Sequence, residues 1–103
     1  MTLRDTFDRY CKAMEAAGYT VNLDRGKTTQ ATFWPRAVIA YYLYQDRWND
    51  RRIAELMARS RPTISCARYR VQTALELPAM YDDVVEIIDN FKNKYHELFG
   101  QDL

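Results

Sequence analysis

Two short helical patterns, separated by a capping turn, occupy residues 49–71 of this 103-residue chain. The segment reads NDRRIAELMARSRPTISCARYRV, in which Asn49 or Asp50 can cap the first helix and Ser60 the second. Pro62 falls in the first turn of that second helix, where the missing N–H of proline costs little. Helix, short turn and helix in this order predict a helix-turn-helix unit.

The apolar residues in the rest of the chain also recur at helical spacing, and Gly and Pro number only three each, so we expect an all-α fold. A helix is predicted over residues 3–17, a polar, turn-rich connector follows over 19–34, and a second helix begins at Pro35. Pro78 breaks the fourth helix, and a last amphipathic helix begins near Asp82. The predicted inward residues, helix by helix, are Leu3, Phe7, Tyr10, Cys11 and Met14; Val38, Ile39, Tyr42 and Leu43; Ile53, Leu56 and Met57; Ile64, Ala67, Val71 and Leu75; and Val84, Ile87, Ile88, Phe91, Tyr95 and Leu98.

Charge is segregated along the chain, although the net charge is only +1. Residues 36–71 hold eight Lys or Arg against three acids, whereas residues 72–103 hold two against seven. Arg is suited to phosphates and to guanine edges because its planar fork donates two hydrogen bonds at once. A cationic segment inside a helix-turn-helix therefore favours double-stranded DNA as the partner.

The second helix of the unit is predicted to present the reading face, since several of its polar side chains share one row three and four residues apart. That row consists of Arg61, Ser65, Arg68, Tyr69 and Gln72. Arginines of the preceding helix and of the turn would contact the DNA backbone. The full set of candidate DNA-binding residues is Arg51, Arg52, Arg59, Arg61, Thr63, Ser65, Arg68, Arg70 and Gln72, with Arg25 and Lys27 in a small basic loop.

Signatures of an enzyme, a metal site or a bound cofactor do not occur in the chain. No Walker A, GxGxxG or GxSxG pattern is present, and the only histidine is His96. Cys11 and Cys66 lie far apart without a CxxC motif, which predicts neither zinc nor a disulfide framework. The charged N-terminus and the lack of a long apolar run favour a cytoplasmic protein that does not enter a membrane.

The stretch from Pro35 to Arg70 resembles the C-terminal DNA-binding domain of the bacterial chromosomal replication initiator DnaA. Pro35-Arg36 followed by an apolar helix looks like the opening of that domain, and residues 49–54 loosely match its capped S-L-x-E-I-G helix. The family signature G-R-D-H-[ST]-T-V-x-x-A aligns with Ala58-Arg59-Ser60-Arg61-Pro62-Thr63-Ile64-Ser65-Cys66-Ala67. The resemblance covers roughly residues 35–95 and lacks the ATPase module.

This resemblance implies a small helical bundle with a helix-turn-helix of the Trp-repressor type, and a bacterial or phage protein that regulates transcription or replication. In the family, the His of an Asp-His pair and the hydroxyl residues beside it read base edges, but here that pair is Ser60-Arg61 and Pro62 follows. Residues 1–34 would form an N-terminal helix and connector, and residues 35–103 the DnaA-like unit with its C-terminal helix, packed as one body. The resemblance also implies a basic loop that enters the minor groove, which Arg25 and Lys27 match weakly.

A second class of function fits the same pattern: a protein-interaction or assembly module that keeps the helix-turn-helix shape, for example a phage packaging or structural subunit. The C-terminal stripe of Val84, Ile88, Phe91, Tyr95 and Leu98 has coiled-coil spacing over two heptads, so it can pack on the protein's own core or form a homodimer seam. Packing on the core is the preferred interpretation.

Three other features are expected to be structural. The aromatic residues Tyr41, Tyr42, Tyr44 and Trp48 are interpreted as core or rim packing rather than as a stacking surface for bases. Cys66 is expected to be half-buried and inert, and His96 is expected on the surface.

Overall fold

The computed structural model describes the backbone of residues 1–21 and 30–103, and in this part of the chain it contains five α-helices and no strand. The helices are α1 (Leu3–Ala16), α2 (Gln30–Gln45), α3 (Asp50–Met57), α4 (Arg61–Glu76) and α5 (Asp82–Phe99). The all-α prediction is confirmed for the described residues. None of these helices combines the length and the apolar character needed to cross a bilayer.

Short polar side chains fix where three of the helices begin. Thr2 and Asp5 form a reciprocal capping box at the start of α1, in which the Asp5 N–H donates to the Thr2 hydroxyl at 3.1 Å. Asn49, rather than Asp50, caps α3 by accepting from the Arg52 N–H at 2.9 Å. Ser60 caps α4 as predicted, and each such cap typically stabilises a helix by about 1 kcal/mol.

Helix α2 begins earlier than the sequence predicts and forms the centre of the bundle. It starts at Gln30 and not at Pro35, so residues 30–34 belong to the helix rather than to the connector. Pro35 is the sixth residue of this helix, where proline removes one backbone hydrogen bond and its ring clashes with the carbonyl four residues earlier. Its ring is fully buried, and every residue from Trp34 to Ala40 is buried as well, which accounts for a helix without a polar face.

The remaining helices bury one stripe each against α2 and against one another. Tyr10 of α1 packs edge-on to Phe91 and Tyr95 of α5, with ring centroids 5.7 and 5.4 Å apart. The core contains most of the predicted inward residues: Leu3, Phe7, Tyr10, Met14, Val38, Ile39, Leu43, Ile53, Met57, Ile64, Ala67, Val71, Val84, Ile88, Phe91 and Tyr95.

Six predicted inward positions differ. Leu75 is exposed because α4 buries Ala74, three residues after Val71, in its place. Leu98 is 51% exposed, and the stripe of α5 continues instead through Phe99, whose ring lies 5.0 Å from that of Tyr95. The other four are only half-buried: Cys11, Tyr42, Leu56 and Ile87. The other four residues of the predicted seam, Val84, Ile88, Phe91 and Tyr95, pack on the chain's own core, as the preferred interpretation expects.

Candidate nucleic-acid interface

The turn between α3 and α4 spans Ala58, Arg59 and Ser60 and contains a left-handed residue. Ala58 has φ +54° and ψ +44°, a conformation that favours glycine, and its N–H bonds back to the carbonyls of Ala54 and Glu55. The chain then leaves the left-handed region, and Ser60 starts α4 at once. This compact turn connects α3 to α4, and the start of α3 lies next to the middle of α4, where Asp50 contacts Arg68.

An acid at the start of α3 binds the middle of α4. Arg68 donates to Asp50 through Nε to Oδ1 at 2.9 Å and through Nη2 to Oδ2 at 3.0 Å, and the Ser65 hydroxyl donates to Oδ2 at 2.6 Å. The two charged side chains are only 14% and 10% exposed. Asp50 therefore has its oxygens filled by three donors, and α3 is fixed to α4 by a charge-assisted pair of the strongest geometry.

Electrostatics and stacking reinforce this contact. The hydrogen bonds from Arg68, and then that from Ser65, hold the pKa of Asp50 below its ordinary value, although partial burial acts in the opposite direction. The bond to Asp50 likewise raises the pKa of Arg68. The Arg68 guanidinium also lies over the rings of Tyr44 and Tyr69, at 3.8 and 4.7 Å from their centroids. One arginine thus joins α2, α3 and α4.

The outward row of α4 is different from the row that the sequence predicts. Ser65 and Arg68 are half-buried and face Asp50, because the row through Arg61, Ser65, Arg68 and Gln72 borders the buried stripe instead of lying opposite to it. The residues opposite to the buried stripe are all exposed: Pro62, Cys66, Tyr69 and Thr73. Only Tyr69 of these was expected on the reading face. The prediction of a half-buried Cys66 is wrong, because its thiol is exposed on this row.

At the start of α4, one arginine remains available. Arg61 is exposed and has no hydrogen-bond or ion-pair partner among the described residues, although its charge also helps to lower the pKa of Asp50. Thr63 is exposed, and its hydroxyl lies 2.7 Å from that of Ser60. Near the other end, Gln72 donates to Glu76 at 3.2 Å on the surface. Of the two exposed polar residues at the ends of the predicted row, Gln72 is hydrogen-bonded to Glu76 and Arg61 has no such partner among the described residues.

The flanking arginines are held by aromatic rings or by weak surface contacts. Arg52 lies 4.9 Å from the centroid of the Trp48 ring, and Arg70 lies 4.5 Å from that of Phe33 and 5.2 Å from that of Trp34. Arg51 is paired with Glu55 at 3.6 Å, but both side chains are highly exposed. An aromatic face orients a guanidinium without neutralising its charge, so these groups can still meet phosphates.

Three of the basic candidates remain: Arg59, Arg25 and Lys27. Arg59 is half-buried in the turn and close enough to the buried Arg36 that its charge adds to burial in lowering the pKa of Arg36. The predicted basic loop of Arg25 and Lys27 lies outside the described residues.

The predicted aromatic patch divides into two parts. Tyr42 packs against Tyr41 and Phe91, as expected for rim and core residues. Tyr44 and Trp48 instead support Arg68 and Arg52, which the spacing of the aromatic residues alone could not indicate.

The C-terminal segment of the chain, residues 72–103, is rich in acids. Between Arg70 and Lys92 the sequence contains five acids and no Lys or Arg. His96 is exposed, as expected, and its Nδ1 lies 2.8 Å from Asp102. The described residues contain no group of three His, Cys, Asp or Glu side chains that could hold a metal ion.

Asp50 is the residue of this candidate site whose contacts sequence analysis missed. Asp50 lies in the first turn of α3, where the helix dipole stabilises an acid in any case. The local sequence therefore does not indicate a partner eighteen residues away. The outward row, by contrast, follows from the positions of Ile64, Ala67 and Val71, since the residue two positions after each lies on the other side of a helix.

No family model matches the chain, and no curated protein or solved structure is detectably similar to it. The resemblance of residues 35–95 to the replication-initiator domain therefore depends on the motif alone.

Proposed function

We propose that this protein binds double-stranded DNA, with α4 in the major groove and the arginines around it on the phosphates. The observation that carries the proposal is the use of Asp50 inside the helix-turn-helix. Because Arg68 neutralises this acid, the outer surface of the unit keeps Arg51, Arg52, Arg61 and Arg70 exposed with few acids beside them.

The roles of these residues follow from where they lie. Arg61, at the first position of α4, is placed to donate to a guanine edge, as Arg does most often in specific complexes. Arg52 and Arg70, supported by aromatic rings, are placed to contact phosphates. Arg68 and Ser65 are positioning residues that hold α4 at a fixed angle to α3.

The geometry of the turn also supports the alignment of residues 58–67 with the signature of the initiator family. The residue aligned with the family's glycine is Ala58, and it has the positive φ that glycine adopts without strain. Ser60 then takes the place of the family's Asp as the cap of the following helix. Since the family's His is Arg61 here, we expect a different preferred sequence from that of the initiator. From the same resemblance we infer a regulatory or replication-related role in a bacterium or phage.

Two substitutions test the assignment. Arg61→Gln should weaken binding to the preferred duplex by about 1–3 kcal/mol and relax the preference at one base pair. Arg52→Gln should weaken binding to all duplexes to a similar extent. Lys94→Gln is the matched control, because it removes a cation from the acid-rich C-terminal segment. It should leave the affinity for DNA unchanged. A chain that binds no duplex from a random library more tightly than about 10⁻⁴ M at physiological salt would refute the proposal.

A second candidate function, a protein-assembly module, is favoured by one observation. The link between α4 and α5 exposes Leu77 (46%) and Met80 (73%) beside acids, a surface that suits a basic protein partner and not DNA. Sedimentation at two ionic strengths, with and without duplex DNA, separates the two functions. A salt-sensitive oligomer that is indifferent to DNA would favour assembly.

A further inference from the structure

Hydrogen-bonding groups along α4 are largely engaged within the protein. The Ser65 hydroxyl and the Arg68 guanidinium are bound to Asp50, and the Thr73 hydroxyl donates to the carbonyl of Tyr69 at 3.0 Å. The Thr63 hydroxyl is paired with that of Ser60. Apart from Arg61 in its first turn, the helix therefore has few free donors that could read base edges in a DNA groove.

Its outward row instead offers apolar surface. Pro62, Cys66 and Tyr69 are exposed, and their spacing of four and three residues places them along one line of the helix. At a rise of about 1.5 Å per residue, this line extends for roughly 10 Å, which is close to three base-pair steps of about 3.4 Å. Tyr69 is 58% exposed although its ring also lies beside Arg68, so the outer edge of the ring remains accessible.

The major groove presents one apolar group, the 5-methyl of thymine, and apolar side chains recognise it by contact. We propose that α4 reads thymine methyl groups through Pro62, Cys66 and Tyr69, within two or three consecutive base pairs. This inference rests on the proposed DNA binding and adds the chemical feature of the bases that the helix reads. Arg61, one residue before Pro62, would read a guanine next to these thymines.

Replacement of thymine by uracil removes the methyl group and leaves the Watson–Crick pair intact. The probe is the tightest-binding duplex recovered from a randomised 20-base-pair library, synthesised with thymine and then with uracil at one position at a time. Each contacted methyl should contribute about fourfold to the affinity, as expected for burial of one methyl group. Cys66→Ser and Pro62→Ala should each abolish the discrimination at one position and keep it at the others.

The variant Arg52→Gln provides the control, because loss of a phosphate contact should weaken the thymine and uracil duplexes by the same factor. Equal affinity for thymine and uracil at every position would overturn the inference while leaving DNA binding in place. Unchanged discrimination in the double variant Cys66→Ser/Pro62→Ala would overturn it as well. Failure of every duplex to bind would refute the proposed function itself.

Discussion

Arg68 donates two parallel hydrogen bonds to Asp50, at 2.9 and 3.0 Å, across the interface between α4 and α3. The contact places a fully charged pair where each side chain is at most 14% exposed, and a hydroxyl from Ser65 completes the set of donors. A pair of this kind does not by itself guarantee high stability, because both groups lose hydration. Its consequence is a defined angle between α3 and α4.

Breaking the pair from either side should destabilise the protein, and the two losses should not add. We expect Asp50→Asn or Arg68→Met alone to lower the free energy of unfolding by about 3 kcal/mol, because each leaves the other charge without its partner. The double variant should lose much less than the sum, measured by urea denaturation. As a control, the exposed pair Arg51–Glu55 should contribute less than about 0.5 kcal/mol. Additive losses at Asp50 and Arg68 would contradict the coupling.

The same pair predicts how stability depends on pH. The pKa of Asp50 is lower in the folded protein than the value of about 4 in an unfolded chain, so the unfolded chain binds a proton first as the pH falls. The contribution of the pair is therefore complete at neutral pH, begins to fall near pH 4, and is lost as the pH falls through the folded pKa. Unfolding curves of Asp50→Asn should show a smaller loss of stability between pH 6 and pH 3 than wild type. Equal losses would show that the pKa of Asp50 is not lowered.

The left-handed residue in the turn predicts a stabilising substitution. Ala58 has φ +54°, and a left-handed conformation costs an L-residue with a Cβ about 1 kcal/mol relative to glycine. Ala58→Gly should therefore raise the melting temperature, with part of the gain offset by the greater freedom of glycine in the unfolded chain. The matched change Ala54→Gly, inside α3, should lower it. A lower melting temperature for Ala58→Gly would argue against this turn geometry.

The two cysteines should differ in reactivity. Burial, with smaller contributions from Glu15 and Asp8, raises the pKa of Cys11 to about 12, so little of its thiol is ionised at neutral pH. Cys66 is exposed on the outward row of α4. A thiol reagent should modify one cysteine quickly in the folded protein, and Cys66→Ser should remove that fast phase. Persistence of the fast phase in Cys66→Ser would place the reactive thiol at Cys11 and contradict this arrangement.

Capping preferences, the place of proline and the spacing of apolar residues predicted much of this fold but less of the candidate site. Ser60 as a cap, Pro62 in a first turn and the buried stripe of Ile64, Ala67 and Val71 depend on neighbours in sequence, and all are found as predicted. The early start of α2 at Gln30 depends on the burial of Trp34 and Pro35 in the bundle, which overrides the usual place of proline at a helix start.

The pairing of Asp50 with Arg68 depends on how α3 crosses α4, and a periodic pattern carries no information about that angle. Arg68 follows the buried Ile64 by one helical turn, so a charged residue there borders the core and needs an acid from the neighbouring helix.

Duplex binding measured against salt concentration is the most direct test of the central claim. The three exposed arginines assigned to phosphates are Arg51, Arg52 and Arg70. With or without Arg59, they would release counterions from three or four phosphates, so the slope of log K against log salt should lie between about −2.7 and −3.6. Arg52→Gln should reduce the slope by about 1. A slope near zero, or a slope that is the same in wild type and Arg52→Gln, would contradict a DNA interface built from these arginines.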